Sequence, residues 1–566
     1  MGVRLQRFLL LLVWVLLPFG GNAMASNTSL SVWLDNQVYT LELEPHTPSG
    51  LSVDSAADHF KGTVAGIDDS WARVSRIDNA WEGVVSIGGE LFLFDLKTPK
   101  LSTRSLQSSV ITATPAAAFD AIGACALQEK SSGSSSKSPL STRALQLSTP
   151  TAQSASFNTL CDSTVDGVCL MAEMDFVFDQ DFQNDFPASY QSRATQLINI
   201  IEGYYRNDLD IAFKTLSMTF LSTTVFSSTT DSLLLLKDIS EKKQAGKLDF
   251  SSKNEALLQV ITGRDFQDDT VGIAWLEGLC DTSGYWSTST AQVVVNNIAI
   301  TALVAAHEVG HNLGAGHDGD GNNCGSGFIM EPSLNLTANQ FSTCSVAYIQ
   351  NAIGRANNQN ACFDYPFDIE IQDNNSGTAI TTSNTRRGFI IQSAAASQAI
   401  NQASIAGRIA SGTANFTGVT LDDTPCNIAS DGQAYTCTLN TPNQNHLLYT
   451  DLTVSEGNLV ATHSVSVSQS QLTETDTTNN SITDSLTVTL NGENGVLQQP
   501  EDNVQPASPP SVDTNSGTDT TDTSQSSSGE ADSGSNSSSG GGGGAPGPAF
   551  ILACLALLAY RRWRRA

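Results

Sequence analysis

The chain has 566 residues, a formal net charge of -29 at pH 7 and a pI near 4.4. Its length leaves room for about three or four domains of ordinary size. An acidic surface repels phosphate backbones, so the charge argues against a nucleic-acid partner. Ten cysteines are unusual for a cytosolic enzyme and indicate an oxidising compartment.

Residues 1–25 have the composition of a secretory signal peptide. Arg4 and Arg7 precede an apolar run over residues 8–19, and the small residues 23–25 supply a cleavage site. The run is shorter than the about 20 apolar residues of a membrane-spanning helix. The sequence therefore predicts export, with the protein secreted or at the cell surface.

Residues 26–157 are expected to form a β-rich module followed by a linker. Alternating apolar and polar residues predict short strands near residues 31–34, 38–43, 60–66, 70–75, 81–87 and 91–94. Cys125 stands alone after these strands. Residues 130–156 are rich in serine and threonine, which is typical of an exposed segment open to proteolytic processing.

Residues 158–365 carry the pattern with the most specific chemistry. Residues 298–306 are apolar or small and predict a buried helix that continues through His307 and His311. Histidines four apart share one helix face and can hold a single Zn²⁺, with Glu308 beside them as general base toward water. Gly314 is expected to end the helix in a left-handed turn that returns His317 as third ligand. Three protein ligands leave one position open, which is typical of catalytic zinc.

The sequence H-E-x-x-H-x-x-G-x-x-H over residues 307–317 resembles the metzincin metallopeptidases. Met330 then resembles their methionine turn, while Asp318 and the segment 341–345 resemble the reprolysin/adamalysin (ADAM-like) branch. The resemblance implies a catalytic domain of the α/β (α+β) class with a mixed sheet and an active-site helix. It also implies one catalytic Zn²⁺ and protein or peptide substrates. Residues 271–275 would form the edge strand that lines the cleft.

The β-rich module resembles the propeptide of reprolysin zymogens, and an unrelated β module is the alternative. Cys125 is then a candidate zinc ligand of the zymogen, although Ala126 stands where the family has glycine; a bystander thiol is the alternative. The resemblance also implies a structural Ca²⁺ at Glu173, but Ala256 lies near the position of the expected aspartate partner.

Eight cysteines remain when Cys125 and the C-terminal Cys554 are set aside, and an even number favours disulfides. The resemblance implies the pairs Cys280–Cys362 and Cys324–Cys344. Closeness in sequence suggests Cys161–Cys169 and Cys426–Cys437.

Residues 366–491 are rich in threonine, serine, valine and asparagine, and their short alternating segments predict an antiparallel β-sandwich. Residues 476–481 resemble the end of bacterial Ig-like surface repeats. His446 and His463 have no partner at metal-ligand spacing and are expected to be structural. Residues 492–544 predict a disordered Ser/Thr/Gly-rich linker.

Residues 545–566 combine a short apolar segment with a basic end. Together with the glycines at 540–544 they resemble the GlyGly-type C-terminal sorting signals of Gram-negative bacteria. The resemblance implies transient membrane association and removal by a sorting protease. A permanent transmembrane anchor is the alternative.

The sequence as a whole predicts a secreted zinc metalloendopeptidase made as a zymogen, with Met330 as the floor of the site. The alternative from another class is a surface adhesin that uses the metzincin fold and the sandwich as a scaffold. A zinc enzyme with a non-peptide substrate is a weaker third hypothesis. The presence of Glu308 and all three histidines favours the peptidase.

Overall fold

The computed structural model describes residues 28–34, 37–52, 56–94, 111–116, 123–128, 155–251, 256–267, 269–294, 297–320, 322–357, 362–375, 377–440, 442, 444–490, 497–498 and 512–514. The predicted signal peptide, residues 130–154 of the predicted linker at 130–156, and the C-terminal segment 545–566 lie outside these ranges, while residues 155 and 156 belong to the helix Ala155–Leu160. Within them, no helix combines the length and apolar character needed to cross a membrane.

The N-terminal part is a closed barrel. Its strands are β1 (Thr28–Leu34), β2 (Gln37–Pro45), β3 (Ala57–Val64), β4 (Ile67–Ile77), β5 (Ala80–Ile87), β6 (Glu90–Phe94) and β7 (Ile111–Pro115). Neighbours pair antiparallel, and a parallel pairing of β1 with β7 closes the ring. Val74, Val85 and Phe92 belong to the cluster inside the barrel, while the adjacent Val84 and Leu91 belong to a different cluster. This alternation follows from the two faces of each strand.

The central part combines a mixed sheet with helices. Its elements are β8 (Ala124–Gln128), α1 (Ala155–Leu160), β9 (Ser163–Val165), β10 (Leu170–Phe178), α2 (Gln180–Asp185), α3 (Tyr190–Leu209), β11 (Ile211–Phe220), α4 (Ser232–Gln244), β12 (Leu257–Thr262), β13 (Thr270–Trp275), β14 (Thr288–Gln292), α5 (Ile298–Asn312) and α6 (Thr343–Asn357). The predicted mixed sheet and the predicted buried helix through His307 and His311 are confirmed. Helix α1 begins slightly before the predicted domain start at residue 158.

The sheet of the central part has β10 in its middle. Strand β10 pairs in parallel with β11 and with β12, and β12 pairs in parallel with β14. Strand β13 runs antiparallel to β14, and β8 adds to the outer side of β13 in parallel. Helices α3 and α5 pack against each other and share one large apolar cluster with the sheet.

The C-terminal part is a two-sheet β structure around its own apolar core. Its strands are β15 (Phe363–Asp373), β16 (Ala379–Ile380), β17 (Asn384–Ala395), β18 (Gln402–Ser411), β19 (Ala414–Leu421), β20 (Thr424–Pro425), β21 (Asn427–Ile428), β22 (Ala434–Asn440), β23 (His446–Val454), β24 (Gly457–Val467), β25 (Leu472–Glu474) and β26 (Ser481–Val488). His463 is buried in this core and its Nδ1 lies 2.7 Å from the Tyr435 hydroxyl.

Strand β15 belongs to both the central and the C-terminal part. Its first residues, Phe363 and Asp364, pair with Ala172 and Met171 of β10. From Phe367 onward the same strand pairs with β17. The sheet of the central part and one sheet of the C-terminal part are therefore one continuous sheet.

The structure describes two short pieces of the predicted linker at 492–544, and both are strands. Two short strands, β27 (Leu497–Gln498) and β28 (Val512–Thr514), pair with β17 and β9. A Ser/Thr/Gly-rich segment buries little apolar surface. Backbone hydrogen bonds to an existing strand give a polar segment another way to become ordered.

All four predicted disulfides are confirmed. Cys161–Cys169, Cys280–Cys362, Cys324–Cys344 and Cys426–Cys437 have Cα–Cα distances of 5.0, 5.8, 5.5 and 4.9 Å. Cys125 is a buried free thiol.

Candidate metal centre

Helix α5 is buried along its whole length. The Asn297 side chain caps its start by accepting from the backbone N–H groups of Ala299 and Ile300. The Tyr205 hydroxyl donates to the Ala306 carbonyl over 2.7 Å. At the far end, the Asn312 amide donates to backbone carbonyls of β13 and β14. These contacts fix the helix against the sheet, and sequence pattern alone did not identify them.

The turn after α5 returns the third histidine. Gly314, two residues after the last residue of α5, has a φ of +103°, in the region that favours glycine. The N–H of Ala315 donates to the Gly310 carbonyl over 3.0 Å as the helix ends. His311 Nε2 and His317 Nε2 then lie 3.1 Å apart. The ligand nitrogens of these two histidines and of His307 all lie within 4.8 Å of one another.

Backbone carbonyls orient two of the imidazoles. His307 Nδ1 lies 2.6 Å from the Ile329 carbonyl, and His311 Nδ1 lies 2.7 Å from the Ala315 carbonyl. A carbonyl only accepts, so each Nδ1 carries the proton and each Nε2 keeps its lone pair. His307 Nε2 is buried and has no hydrogen-bond partner among the residues that the structure describes. An unpaired, buried imidazole nitrogen close to the nitrogens of two other histidines fits a Zn²⁺ site with three protein ligands.

Burial sets the protonation of the three histidines. It lowers the pKa of His307 to about 3 and that of His317 to about 4, and it lowers the pKa of His311 well below its ordinary value. The imidazoles are therefore neutral at physiological pH. Neutral imidazole is the form that binds metal.

Met330 is fully buried and lies next to Gly310 of helix α5. A Cβ at Gly310 would lie 2.6 Å from the Met330 sulfur, so the glycine makes room for it. The Asp318 N–H donates to the Met330 carbonyl over 2.8 Å. The Asp318 carboxylate accepts from the hydroxyls of Ser342 and Ser345. These bonds explain structurally why Asp318 and the serines of segment 341–345 occur together.

Glu308 is fully buried beside the histidines. Its pKa is raised well above the ordinary value by burial. Neither of its oxygens has a nitrogen or oxygen hydrogen-bond partner among the described residues, and the polar group that it faces is the Cys125 thiol. The ligand atoms of Cys125, His307 and Glu308 lie within 4.8 Å of one another. Burial, followed by the charge of Glu308, raises the pKa of that thiol.

Strand β8 carries Cys125 into the site. Cys125 lies opposite Gly272 in the pairing with β13. On the other side, the Cys125 N–H donates to the Pro332 carbonyl over 3.1 Å, and the Leu334 N–H donates to the Gly123 carbonyl over 3.1 Å. The segment thus fills the space between the edge strand and the loop after Met330. This strand is not predicted by the sequence, because alanine has a low propensity for strands.

Glu173, the predicted calcium ligand, is engaged in a salt bridge. The Lys214 ammonium lies 3.1 Å from Glu173 and 2.6 Å from Asp364. A protein cation therefore already bridges these two carboxylates.

Comparison with known proteins agrees with this geometry. A family model described as Metallo-peptidase family M12, of the reprolysin type, matches residues 168–342, a range that includes the three histidines, Glu308 and Met330. Snake venom metalloproteinase fibrolase from Macrovipera lebetinus is 31% identical over 182 residues, which are 31% of this chain and 86% of that relative. The chain belongs to the reprolysin-type metallopeptidases of family M12 and is a zinc metalloendopeptidase.

Proposed function

We propose that this protein is an exported zymogen whose mature form hydrolyses peptide bonds of extracellular proteins. His307, His311 and His317 are the residues that would hold a single Zn²⁺. The observation that carries the proposal is the convergence of three neutral imidazoles beside Glu308, next to a sheet edge suited to an extended peptide.

Zn²⁺ bound here supplies a Lewis acid that polarises the scissile carbonyl and makes water more acidic. Glu308 takes the proton of the attacking water and hands it to the leaving amine. The backbone of β13 holds the substrate main chain by hydrogen bonds. Met330 packs under the imidazoles and takes no part in proton transfer.

Latency arises from the segment that includes β8. The barrel with residues 123–128 acts as the propeptide, and β8 occupies the edge of β13 that a substrate would need. The Cys125 thiol adds a zinc ligand from the same strand. Ala126 departs from the family's glycine, but the position of the thiol beside His307 and Glu308 supports its role as a switch.

Calcium is not part of the proposal. The Lys214 ammonium supplies positive charge between Glu173 and Asp364, where the resemblance implied a Ca²⁺ ligand. A dication next to this ammonium would be repelled.

The flanking regions complete the proposal. Residues 1–25 direct export, residues 366–491 form an Ig-like sandwich, and residues 545–566 act as a sorting signal in a Gram-negative bacterium. Membrane association is transient and ends with cleavage by the sorting protease. The adhesin alternative is disfavoured because the complete set of site residues is present.

The proposal is tested on the purified mature form with a peptide library, with and without a zinc chelator. We expect internal cleavage of peptides, its loss with the chelator and its return when Zn²⁺ is added. Cleavage that the chelator leaves unchanged would contradict the zinc mechanism.

A further inference from the structure

We infer that the barrel (residues 28–116) remains bound to the catalytic domain as a non-covalent subunit after the chain is cut within residues 129–154. The inference rests on the proposed zymogen role, but it concerns binding alone. Its evidence is the interface between the barrel and helix α3.

The outer face of the barrel is built like part of a protein core. Trp71, Val84, Leu91 and Leu93 face away from the barrel interior and belong to the apolar cluster of the catalytic domain. The Trp71 ring meets the Tyr204 ring of α3 edge to face, with centroids 5.2 Å apart. Buried apolar surface of this kind is typical of permanent rather than transient interfaces.

Polar groups at the same interface are paired across it. The Asn199 amide of α3 donates to the Phe60 carbonyl over 3.2 Å. The Asn339 amide donates to the Ser86 hydroxyl over 2.7 Å. Both bonds are buried, so separating the two surfaces would exchange them for bonds to water.

Acidic and basic side chains pair across the interface, with acidic groups on both sides of it. On the catalytic side, Glu202 accepts from His46 of the barrel over 3.0 Å, and Asp166 lies 2.5 Å from the Lys61 ammonium. In the opposite sense, Arg193 of α3 donates to Glu82 of the barrel over 2.7 Å. This complementary pattern fixes one docking orientation.

The barrel and β8 contact different surfaces of the catalytic domain. The barrel covers α3, while β8 pairs with β13. A cut after residue 128 leaves both on one covalent fragment. Each contact then holds the other at high effective concentration, so the fragment leaves only when both contacts open together.

The test uses the full chain with Glu308→Ala, which prevents self-digestion, and a recognition sequence for a site-specific protease inserted within residues 131–154. After the cut, size-exclusion chromatography at pH 7.5 with intact-mass detection follows the two fragments. We expect them to co-elute at the mass of the uncut chain. Separate elution without denaturant would overturn the inference.

A charge-reversal series gives a second readout. Arg193→Glu places like charges opposite Glu82 and should weaken the fragment's binding by about 30-fold or more. Adding Glu82→Arg should restore binding, which a folding defect would not do. Arg76→Glu is the matched control, since Arg76 is exposed on the barrel strand β4 and pairs with Asp58 of the barrel itself. Equal binding by wild type and Arg193→Glu would contradict the interface.

The failure of this inference can be told apart from failure of the proposed function. Co-elution is measured in an inactive variant and needs no peptidase activity. Separate elution together with zinc-dependent peptide cleavage by the mature form would overturn only the inference.

Discussion

The Cys125 thiol lies against the Glu308 carboxyl inside the buried metal centre. One group comes from the strand that follows the barrel, and the other comes from the middle of α5. Their contact places strand β8 beside Glu308 as well as beside a candidate zinc ligand, His307. In the proposed zymogen, latency would therefore have two separable parts, the thiol and the pairing of β8 with β13.

Substituting Cys125 should activate the uncut chain only in part. Cys125→Ser removes the zinc-binding thiol but leaves β8 on the edge of β13, so we expect measurable activity that stays well below that of the mature enzyme. The measurement is kcat/KM on a fluorogenic peptide, with Ala124→Ser, at an exposed position of the same strand, as control. Full activity would assign latency to the thiol alone, and unchanged latency would assign it to β8 alone.

Substitutions of Glu308 and of His311 should have different effects on zinc content and activity. In the mature form, Glu308→Ala should keep one zinc per chain and lower kcat/KM by at least about 10²-fold, the usual contribution of a general base. His311→Ala should lose both zinc and activity, since it removes a ligand. Metal content by mass spectrometry, measured beside the rates, separates the two roles. A Glu308→Ala enzyme with near-normal turnover would refute the general-base assignment.

Gly272 provides the space in which the Glu308 carboxylate sits. A Cβ at this position would lie 2.4 Å from Glu308 Oε1. Gly272→Ala should therefore displace the carboxylate and lower kcat at least about tenfold while zinc content stays normal. Gly377→Ala is the control, because no heavy atom lies within 4 Å of its added Cβ. Unchanged kcat in Gly272→Ala would mean that the carboxylate position is not critical.

Acid should weaken the docking of the barrel through His46. Burial lowers the His46 pKa from 6.5 to about 4 in the docked state, so the free barrel binds a proton more readily than the docked one. The affinity of the barrel for the catalytic domain is therefore highest above pH 6.5. It falls about tenfold for each pH unit between 6.5 and 4. Between pH 7.5 and 5.0, protonation of His46 alone should raise the dissociation constant of the cut fragment about 30-fold. The charged groups around this histidine are Glu202, Arg73, Lys61, Arg206, Asp166 and Glu44.

Other groups near the barrel also titrate, so the prediction is the difference between wild type and His46→Gln. Burial raises the pKa of Asp368 to about 6 and that of Glu474 to about 8. These carboxyls line the same cavity as His46. Dissociation constants of the cut fragment, measured for both proteins from pH 7.5 to 5.0, isolate the histidine. Parallel pH profiles would contradict its role.

The C-terminus should be removed during export. The apolar run over residues 549–560 would span about 18 Å as a helix, well short of the about 30 Å hydrocarbon core. We expect the mature protein to end near Gly544 and to lack the arginines at 561–565. Intact-mass measurement on protein from the native host's surface or medium checks this. Full-length chain in the membrane fraction would favour the permanent anchor.

The local parts of the site could be predicted from sequence. His307, Glu308 and His311 lie within about one helical turn, and Gly314 fixes the turn that follows, so spacing alone implies their geometry. The long-range contacts could not be predicted. Nothing in the residues 124–128 indicates that they pair with β13, and the buried partner of Trp71 is Tyr204, far away in the chain. Such contacts depend on how separate elements dock.

Strand β15 gives the C-terminal part a mechanical connection to the enzyme. A truncation at residue 365 would cut this strand near its start and strip the partner from β17. Force applied to the sandwich, for example by attachment of the C-terminus to a surface, would enter the catalytic sheet at Met171 and Ala172 of β10. The same strand, β10, pairs farther along with β12. One shared strand thus couples the C-terminal β structure directly to the central sheet, so a change in the position of β17 is transmitted to β10 through β15.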